Sequence, residues 1–281
     1  GTLPPPRWTR GSPKIFPASG KGFDCHCLRR PPCATGWGTD DRQCDIGPMP
    51  WGDGVVDAAD LEALMKYWGQ DVTGMVAHWK LDEVEGTVAY DSAGANDAIL
   101  VGDPVWQRAG GWVDGALELD GIDDGAEAGF VLDPHDSPCS AFAWIKGGGP
   151  GQVIISQAKG DIGRGVNWLL TDSVGNLISE FKPVYPPEAD VILVSGMQIN
   201  DGQWHHVGFV WDFLGTRILY VDGIDVARDT IKDWIDTQNG GINIGFRASI
   251  LHRPEFWSGL IDDVRIYDVA LTPEVIEALV Q

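Results

Sequence analysis

The chain has 281 residues, with 20 Lys and Arg against 41 Asp and Glu, and a formal net charge of −21. A charge of that sign opposes binding to nucleic acid or anionic lipid, because the phosphate attraction that drives such contacts becomes repulsion; cations and neutral ligands are the better partners. At 43 % hydrophobic residues the chain can build a real core, of one large β domain or two modest ones. Its richest short apolar run, Val191–Val194, is strand-length rather than the roughly 20 residues of a membrane helix, so no membrane insertion is expected. The chain opens on Gly1, not Met, with no charged-then-apolar leader, as expected of a processed or recombinant chain from which a secretory signal could already have been removed.

The charge is unevenly placed. Residues 1–44 hold seven basic side chains (Arg7, Arg10, Lys14, Lys21, Arg29, Arg30 and Arg42) and three acidic ones (Asp24, Asp40 and Asp41), a net of +4 that leaves −25 for the rest. Proline recurs through this arm, at Pro4, Pro5, Pro6, Pro13, Pro17, Pro31 and Pro32; it removes backbone donors and favours extended, polyproline-like conformations. No regular element is expected here: the arm either stays a disordered leader or lies on its own body or a neighbour through Trp8, Ile15, Phe16 and Phe23. Four of the five cysteines lie in or at the end of the arm: Cys25, Cys27, Cys33 and Cys44. A Cys25–Cys27 bond is sterically poor, which leaves Cys25–Cys33 with Cys27–Cys44, or Cys25–Cys44 with Cys27–Cys33; both imply an oxidising compartment. A metal knuckle of Cys25, His26, Cys27 and Cys33 lacks the paired CxxC spacing of zinc sites. Cys139 stands alone in a strand-like segment and reads as a small core residue.

Residues 45–72 carry Asp53-Gly54-x-x-Asp57-x-x-Asp60-Leu61, then Leu64, Met65 and Trp68 at helical spacing, and a closing Gly69. This stretch resembles a single dockerin-type calcium repeat. Calcium takes six to eight oxygens, and Asp53, Gly54, Asp57 and Asp60 fall on loop positions 5, 6, 9 and 12. Positions 1 and 3 fall on Met49 and Trp51, which offer no side-chain ligand, so Asp45 is the substitute donor and the first half of the loop is remodelled. Metal-free, the same segment is a helix capped by Asp57 or Asp60. Dockerins that bind cohesin normally carry two repeats, and one is present here, so cohesin binding is not implied.

From Met75 the pattern changes to short alternating runs separated by Gly, Asp and Asn. Strands are expected near 76–81, 116–119, 141–146, 153–157, 167–170, 177–181, 205–211, 217–221, 242–244 and 259–267. Many short strands with turns between them specify a mainly β protein, a sandwich of two antiparallel sheets. Thr272-Pro273-Glu274 should open a short terminal helix. Trp79, Phe142, Trp144, Trp204, Phe209, Trp211, Tyr220 and Tyr267 sit at alternating positions able to face the interior between the sheets.

Specific wording sharpens this. Val76-Ala-His-Trp-Lys-Leu-Asp-Glu83, Tyr90-Asp-Ser-Ala-Gly94, Gly115-Ala-Leu-Glu-Leu-Asp-Gly-Ile-Asp-Asp124, Phe142-Ala-Trp-Ile-Lys146, Asp201-Gly-Gln-Trp-His-His-Val207, Leu219-Tyr-Val-Asp-Gly223 and Phe256-Trp-Ser-Gly-Leu-Ile-Asp-Asp-Val-Arg-Ile-Tyr267 occur in order. Together they resemble a laminin-G-like, concanavalin A-like jelly roll over residues 75–281, in the version found in secreted proteins of planctomycete-type bacteria after a dockerin-like repeat. The resemblance implies a structural Ca²⁺ between the opening loops and the closing strand, with Asp82, Asp91, Asp120, Asp123, Asp124 and Asp262 as the acids available. Several of these also suit Asx turns.

Glu118-Leu-Asp120-Gly-Ile-Asp123 is similar to the Glu-x-Asp-x-x-Glu strand of laminarinase-type hydrolases, but its third acid is a methylene shorter and Gly121 interrupts the strand. No enzyme is expected. Trp106, Trp112, Trp168, Trp234 and Trp257, at strand ends or in Gly/Asp-rich loops, are the candidate sugar-stacking residues. The resulting expectation is a secreted, non-enzymatic module that binds polysaccharide or glycoprotein, with structural calcium. The alternative is a self-assembling subunit, a homo-oligomer or polymer in which the basic arm of one copy docks on the acidic sandwich of the next.

Overall fold

The computed structural model describes residues 74–134, 136–158, 165–181, 191–212, 214–231, 240–247 and 255–281. The arm with Cys25, Cys27, Cys33 and Cys44, the dockerin-like acids Asp45, Asp53, Asp57 and Asp60, and Trp234 lie outside the described residues.

Two antiparallel eight-stranded sheets form a sandwich. The first contains β1 (Met75–Trp79), β4 (Val105–Gln107), β5 (Ala116–Asp120), β7 (Cys139–Gly147), β12 (Trp204–Trp211), β13 (Thr216–Val221), β14 (Ile224–Thr230) and β16 (Ser258–Tyr267). Its order is β14-β13-β12-β7-β16-β5-β4, with β1 also paired to β16. The second contains β2 (Val88–Ala89), β3 (Ala98–Val101), β6 (Gly125–Glu127), β8 (Val153–Ala158), β9 (Gly165–Thr171), β10 (Asn176–Phe181), β11 (Val191–Gln198) and β15 (Gly241–Ile244). Its order is β11-β10-β9-β8-β15-β6-β3-β2. All ten expected strands are present, and helix α1 (Pro273–Leu279) follows Thr272 as expected, although the Thr272 hydroxyl makes no capping bond.

The aromatic residues divide differently from the expectation. Trp79, Phe209 and Trp211 fill the space between the sheets, and Cys139 is buried among them. Phe142, Tyr220 and Tyr267 instead form a second core with Val210, Leu271 and Ile276, outside the first sheet and under α1. Strand alternation is the reason. On β7 the inward positions are Cys139, Ala141, Ala143 and Ile145, small enough to leave room for Trp168 and Phe209, so Phe142 and Trp144 point outward. Phe142 lies flat on Gly208, where an added Cβ would come within 2.2 Å of its ring. Trp204 is only half-buried.

β16 decides where chemistry is placed. Its first half pairs with β5 and its second with β1, on the same flank. The pairing with β7 is irregular between Asp262 and Arg265 at this changeover, and Asp263 has a left-handed φ of 51°. The segments that leave β1 and enter β5 therefore meet over Asp262.

Candidate metal centre and ligand face

Asp262 is fully buried; its Oδ2 accepts the Val113 N–H at 2.8 Å, while Oδ1 has no partner among the described residues. Burial pushes its pKa up to about 8, helped by the neighbouring carboxylates of Asp263 and Asp82 and opposed by the Val113 and Trp112 N–H groups. Asp82 accepts the Gly115 N–H at 2.7 Å, and its pKa is also raised, first by burial. The loop from Gly111 closes over both acids: a Cβ on Gly111 would lie 1.7 Å from the Gly115 carbonyl oxygen and 2.7 Å from Asp262 Oδ2. Three non-glycine residues at this one junction, Leu81, Asp114 and Asp263, have left-handed φ of 58°, 58° and 51°. Such strain persists where the surroundings over-determine it, commonly at functional sites. A buried carboxylate with an orphaned oxygen beside a second acid makes an oxygen donor pair of the kind that a hard cation such as Ca²⁺ takes. Asp263 is engaged elsewhere, with His78 Nε2 at 2.6 Å and Arg265 Nη2 at 2.7 Å.

The other expected calcium ligands are placed apart from this junction or fully engaged. Asp91 takes the His78, Ala93 and Gly94 N–H groups on Oδ1 and the Asn96 N–H and Nδ2 on Oδ2. Burial alone would raise its pKa, but these backbone donors outweigh it and the pKa falls. Asp91 therefore organises the turn after β2. Asp120, Asp123 and Asp124 bring their carboxylates within 4.8 Å of one another. They close the β5–β6 turn: Asp120 Oδ1 accepts the Ile122 N–H at 2.7 Å, and Asp124 accepts the Asp103 and Asp120 N–H groups at 2.8 and 3.1 Å. Glu118 and Asp120 are exposed on the first sheet, with Gln107 Nε2 donating to Glu118.

Of the candidate stacking residues, Trp168 and Trp257 are fully buried, which corrects the expectation for both. Trp168 packs against Phe209 between the sheets, and Trp257 covers Gly148. A position at a strand end does not distinguish a rim ring from one turned inward. Trp106 is half-buried and donates to the Gly86 carbonyl at 2.9 Å. Trp112 is 46 % exposed and stacks on Trp144 at 4.3 Å. Beneath them His206 lies parallel to Phe142 at 5.3 Å, and burial holds its pKa down to about 4, so it packs as a neutral ring.

The second sheet carries a feature that no sequence motif marks. Cross-strand register aligns Glu180 with Asn167, Asn167 with Ser156, Ser156 with Asn243, and Asn243 with Glu127. The result is a polar belt across β10, β9, β8, β15 and β6 on the side away from the core, in which Glu180, Asn167, Ser156 and Asn243 are buried and Glu127 is exposed. Asn167 Nδ2 and Arg247 Nη2 both donate to Glu180 Oε2 at 2.5 Å, and Asn243 Nδ2 donates to Ser156 Oγ at 3.3 Å. On the same side of β10, Ile178 joins Val153 and Leu170 in a separate apolar patch. The only sign in the sequence is a polar residue inside an otherwise apolar strand: Asn167 between Val166 and Trp168, and Asn243 between Ile242 and Ile244.

At one end of the first sheet, His205 holds Asp222 with Nδ1 at 2.9 Å and Asp201 with Nε2 at 3.2 Å. The hydrogen bond to Asp222 raises the His205 pKa against the cost of burial, while Asp201 and Asp222 are lowered. The histidine's contribution is full below its unfolded value near 6.5 and disappears as pH rises through the higher folded value. His205→Gln is expected to flatten the loss of stability between neutral and mildly alkaline pH. Urea unfolding across that range checks this; an unchanged slope would show the clamp to be inert.

A family model described as the concanavalin A-like lectin/glucanases superfamily matches residues 120–277, and β1 to β5, which precede the full match, complete the same two sheets. No curated protein matches the chain. Among solved structures, domain 4 of AbnA, a GH43 extracellular arabinanase from Geobacillus stearothermophilus in complex with arabinotriose, is 22 % identical. It superposes with a TM-score of 0.58 over 74 % of this chain and 98 % of that domain. The binding domains of Paraclostridial Mosquitocidal Protein 1 and of botulinum neurotoxin serotype D are each 15 % identical, with TM-scores of 0.55 over 74 % of this chain. This chain spans about half of each toxin domain, 52 %. At these identities the likeness is one of fold. With more than half of its residues matched by the family model, the chain belongs to the concanavalin A-like lectin/glucanases superfamily.

Proposed function

We propose that this protein is a secreted, non-enzymatic carbohydrate-binding module whose fold is pinned by Ca²⁺ at Asp262 and Asp82. The observation that carries the binding role is the ring of Trp112, 46 % exposed and stacked on Trp144 at 4.3 Å on the outer face of the first sheet. Sugar rings present apolar C–H faces, and an exposed aromatic ring held in place by a second ring matches them. The arabinotriose bound by the similar AbnA domain supports this reading. Catalysis is disfavoured, because glycoside hydrolysis needs two carboxyl groups free to flank the scissile bond. Glu118 and Asp120 lie exposed, while Glu180 and Glu255 both pair with the Arg247 guanidinium. Calcium at the dockerin-like stretch, through Asp45, Asp53, Asp57 and Asp60, belongs to the same proposal.

Isothermal titration with arabinotriose and other neutral oligosaccharides tests this ring. Trp112→Ala is expected to weaken binding at least about tenfold, or about 1.4 kcal/mol, with the protein still folded. No new reducing ends should appear on long incubation. Unaltered binding in the variant would place the ligand elsewhere.

A further inference from the structure

Beside Trp112 the outer face of the first sheet carries an accessible row. Val207 of β12, Ile145 of β7, Ile261 of β16 and Leu117 of β5 point into the core. Alternation turns Trp204, Lys146, Leu260 and Glu118 the other way. Register sets them side by side: Trp204 with Lys146, Lys146 with Leu260, Leu260 with Glu118, and Glu118 with Val105 of β4. Glu118 and Val105 are exposed, and Trp204, Lys146 and Leu260 are half-buried. Four strand steps of about 4.8 Å make the row about 19 Å long, the span of several sugar rings. Lys146 is the next outward residue after Trp144, the ring under Trp112, about 7 Å further along β7.

The two charges of the row differ in what they already hold. Glu118 accepts a hydrogen bond from Gln107 Nε2. The Lys146 ammonium has no partner among the described residues, although the chain carries 41 acidic side chains against 20 basic ones. It offers three donors and no acceptor. A sugar hydroxyl can accept from it; a carboxylate or sulfate accepts and also meets its charge, which makes the stronger bond. Glu118 opposes this weakly, because it lies two strands away, about 10 Å, beyond the roughly 8 Å over which charges act at physiological salt. The same screening limits the reach of the chain's overall negative charge.

Building on the carbohydrate-binding reading above, we propose that this row is the ligand track and that it prefers an acidic oligosaccharide, with one sugar ring on Trp112 and the carboxylate or sulfate of a neighbouring unit on Lys146. One acidic unit is favoured there; further ones along the row meet Glu118 and are not.

The experiment is calorimetric titration of the full chain, at physiological ionic strength, with matched trisaccharides that are neutral, carry one uronate or carry one sulfate. At least one acidic form should bind about fivefold more tightly than the neutral form, and the better of the two identifies the acidic group. Lys146→Gln should remove the preference and Lys146→Arg should keep it, with the unfolding midpoint of each variant reporting that the sheet is intact. Acidic forms bound no more tightly than the neutral one, or a preference that survives Lys146→Gln, overturns the selectivity and leaves carbohydrate binding standing. Failure of every form to bind the folded protein overturns both.

Discussion

Calcium added to the metal-stripped protein is expected to raise its unfolding midpoint strongly at pH 8 and little at pH 4. The reason lies in one carboxyl group. Asp262 has a folded pKa of about 8 against an ordinary value of 3.8, so the folded state binds its proton more tightly than the unfolded chain does. Without metal, stability is therefore greatest below pH 4, falls as pH rises from 4 to 8, and levels off above 8. Across that interval each pH unit removes about 1.4 kcal/mol, so the full loss is on the order of 5 kcal/mol. On the proposal above, a divalent cation would take the proton's place on Oδ1 and restore that stability where the proton cannot.

Asp262→Asn isolates the effect, since the amide keeps the shape and the Val113 acceptor but not the charge. It should stabilise the metal-free protein at pH 8, flatten its pH dependence from 4 to 8, and abolish the calcium response at this junction. Trp112 supplies a local readout, because its loop is tied to Asp262 through Val113 and its ring stacks on Trp144, the cross-strand partner of Asp262. A calcium-induced fluorescence change in the parent that persists in Asp262→Asn would relocate the cation.

Replacing Arg217 is expected to cause the largest loss from a single surface-distant ion pair. Arg217 is fully buried on β13. Its Nε and Nη2 fork onto Asp229 of β14 at 2.9 and 2.5 Å, Nη1 donates to the Val191 carbonyl of β11 at 3.1 Å, and its guanidinium lies 4.8 Å from the Phe181 ring centre. One side chain thus ties an edge of the first sheet to an edge of the second. Arg217→Met keeps the apolar stem but strands Asp229 and a carbonyl. Breaking a buried pair costs about 3–5 kcal/mol, and the partial exposure of Asp229 places the expectation near about 3 kcal/mol. Lysine should recover little, because it lacks the planar fork. Urea unfolding measures the change; a loss under about 1 kcal/mol would show that solvent reaches the pair freely.

The framework is legible in the sequence because alternation is local. Strands such as β7, β12 and β16 announce themselves by period, and the Asp262–Asp263 pair marks the closing strand. β2, β4 and β6 have two or three residues each, too few for a period to register. β11 shows in the sequence only as an apolar run, and it lies at a sheet edge with Ile192 and Val194 exposed. The six acids of the expected jelly-roll calcium site cannot be sorted by sequence, since an aspartate that closes a turn and one that awaits a cation look alike. Only the hydrogen-bond donors around Asp91 and Asp124, and their absence at Asp262 Oδ1 among the described residues, separate them. The belt is hidden for a different reason: Glu180, Asn167, Ser156, Asn243 and Glu127 come from five strands, and strand pairing alone aligns them.

Hydrogen–deuterium exchange with and without a bound neutral oligosaccharide tests the placement of the ligand most directly. Slowed exchange concentrated around Trp112 and in β5, β7 and β16, with the second sheet unchanged, is the expected result. Slowing confined to β8, β9, β10 and β15 would contradict it and move the ligand to the opposite face of the sandwich.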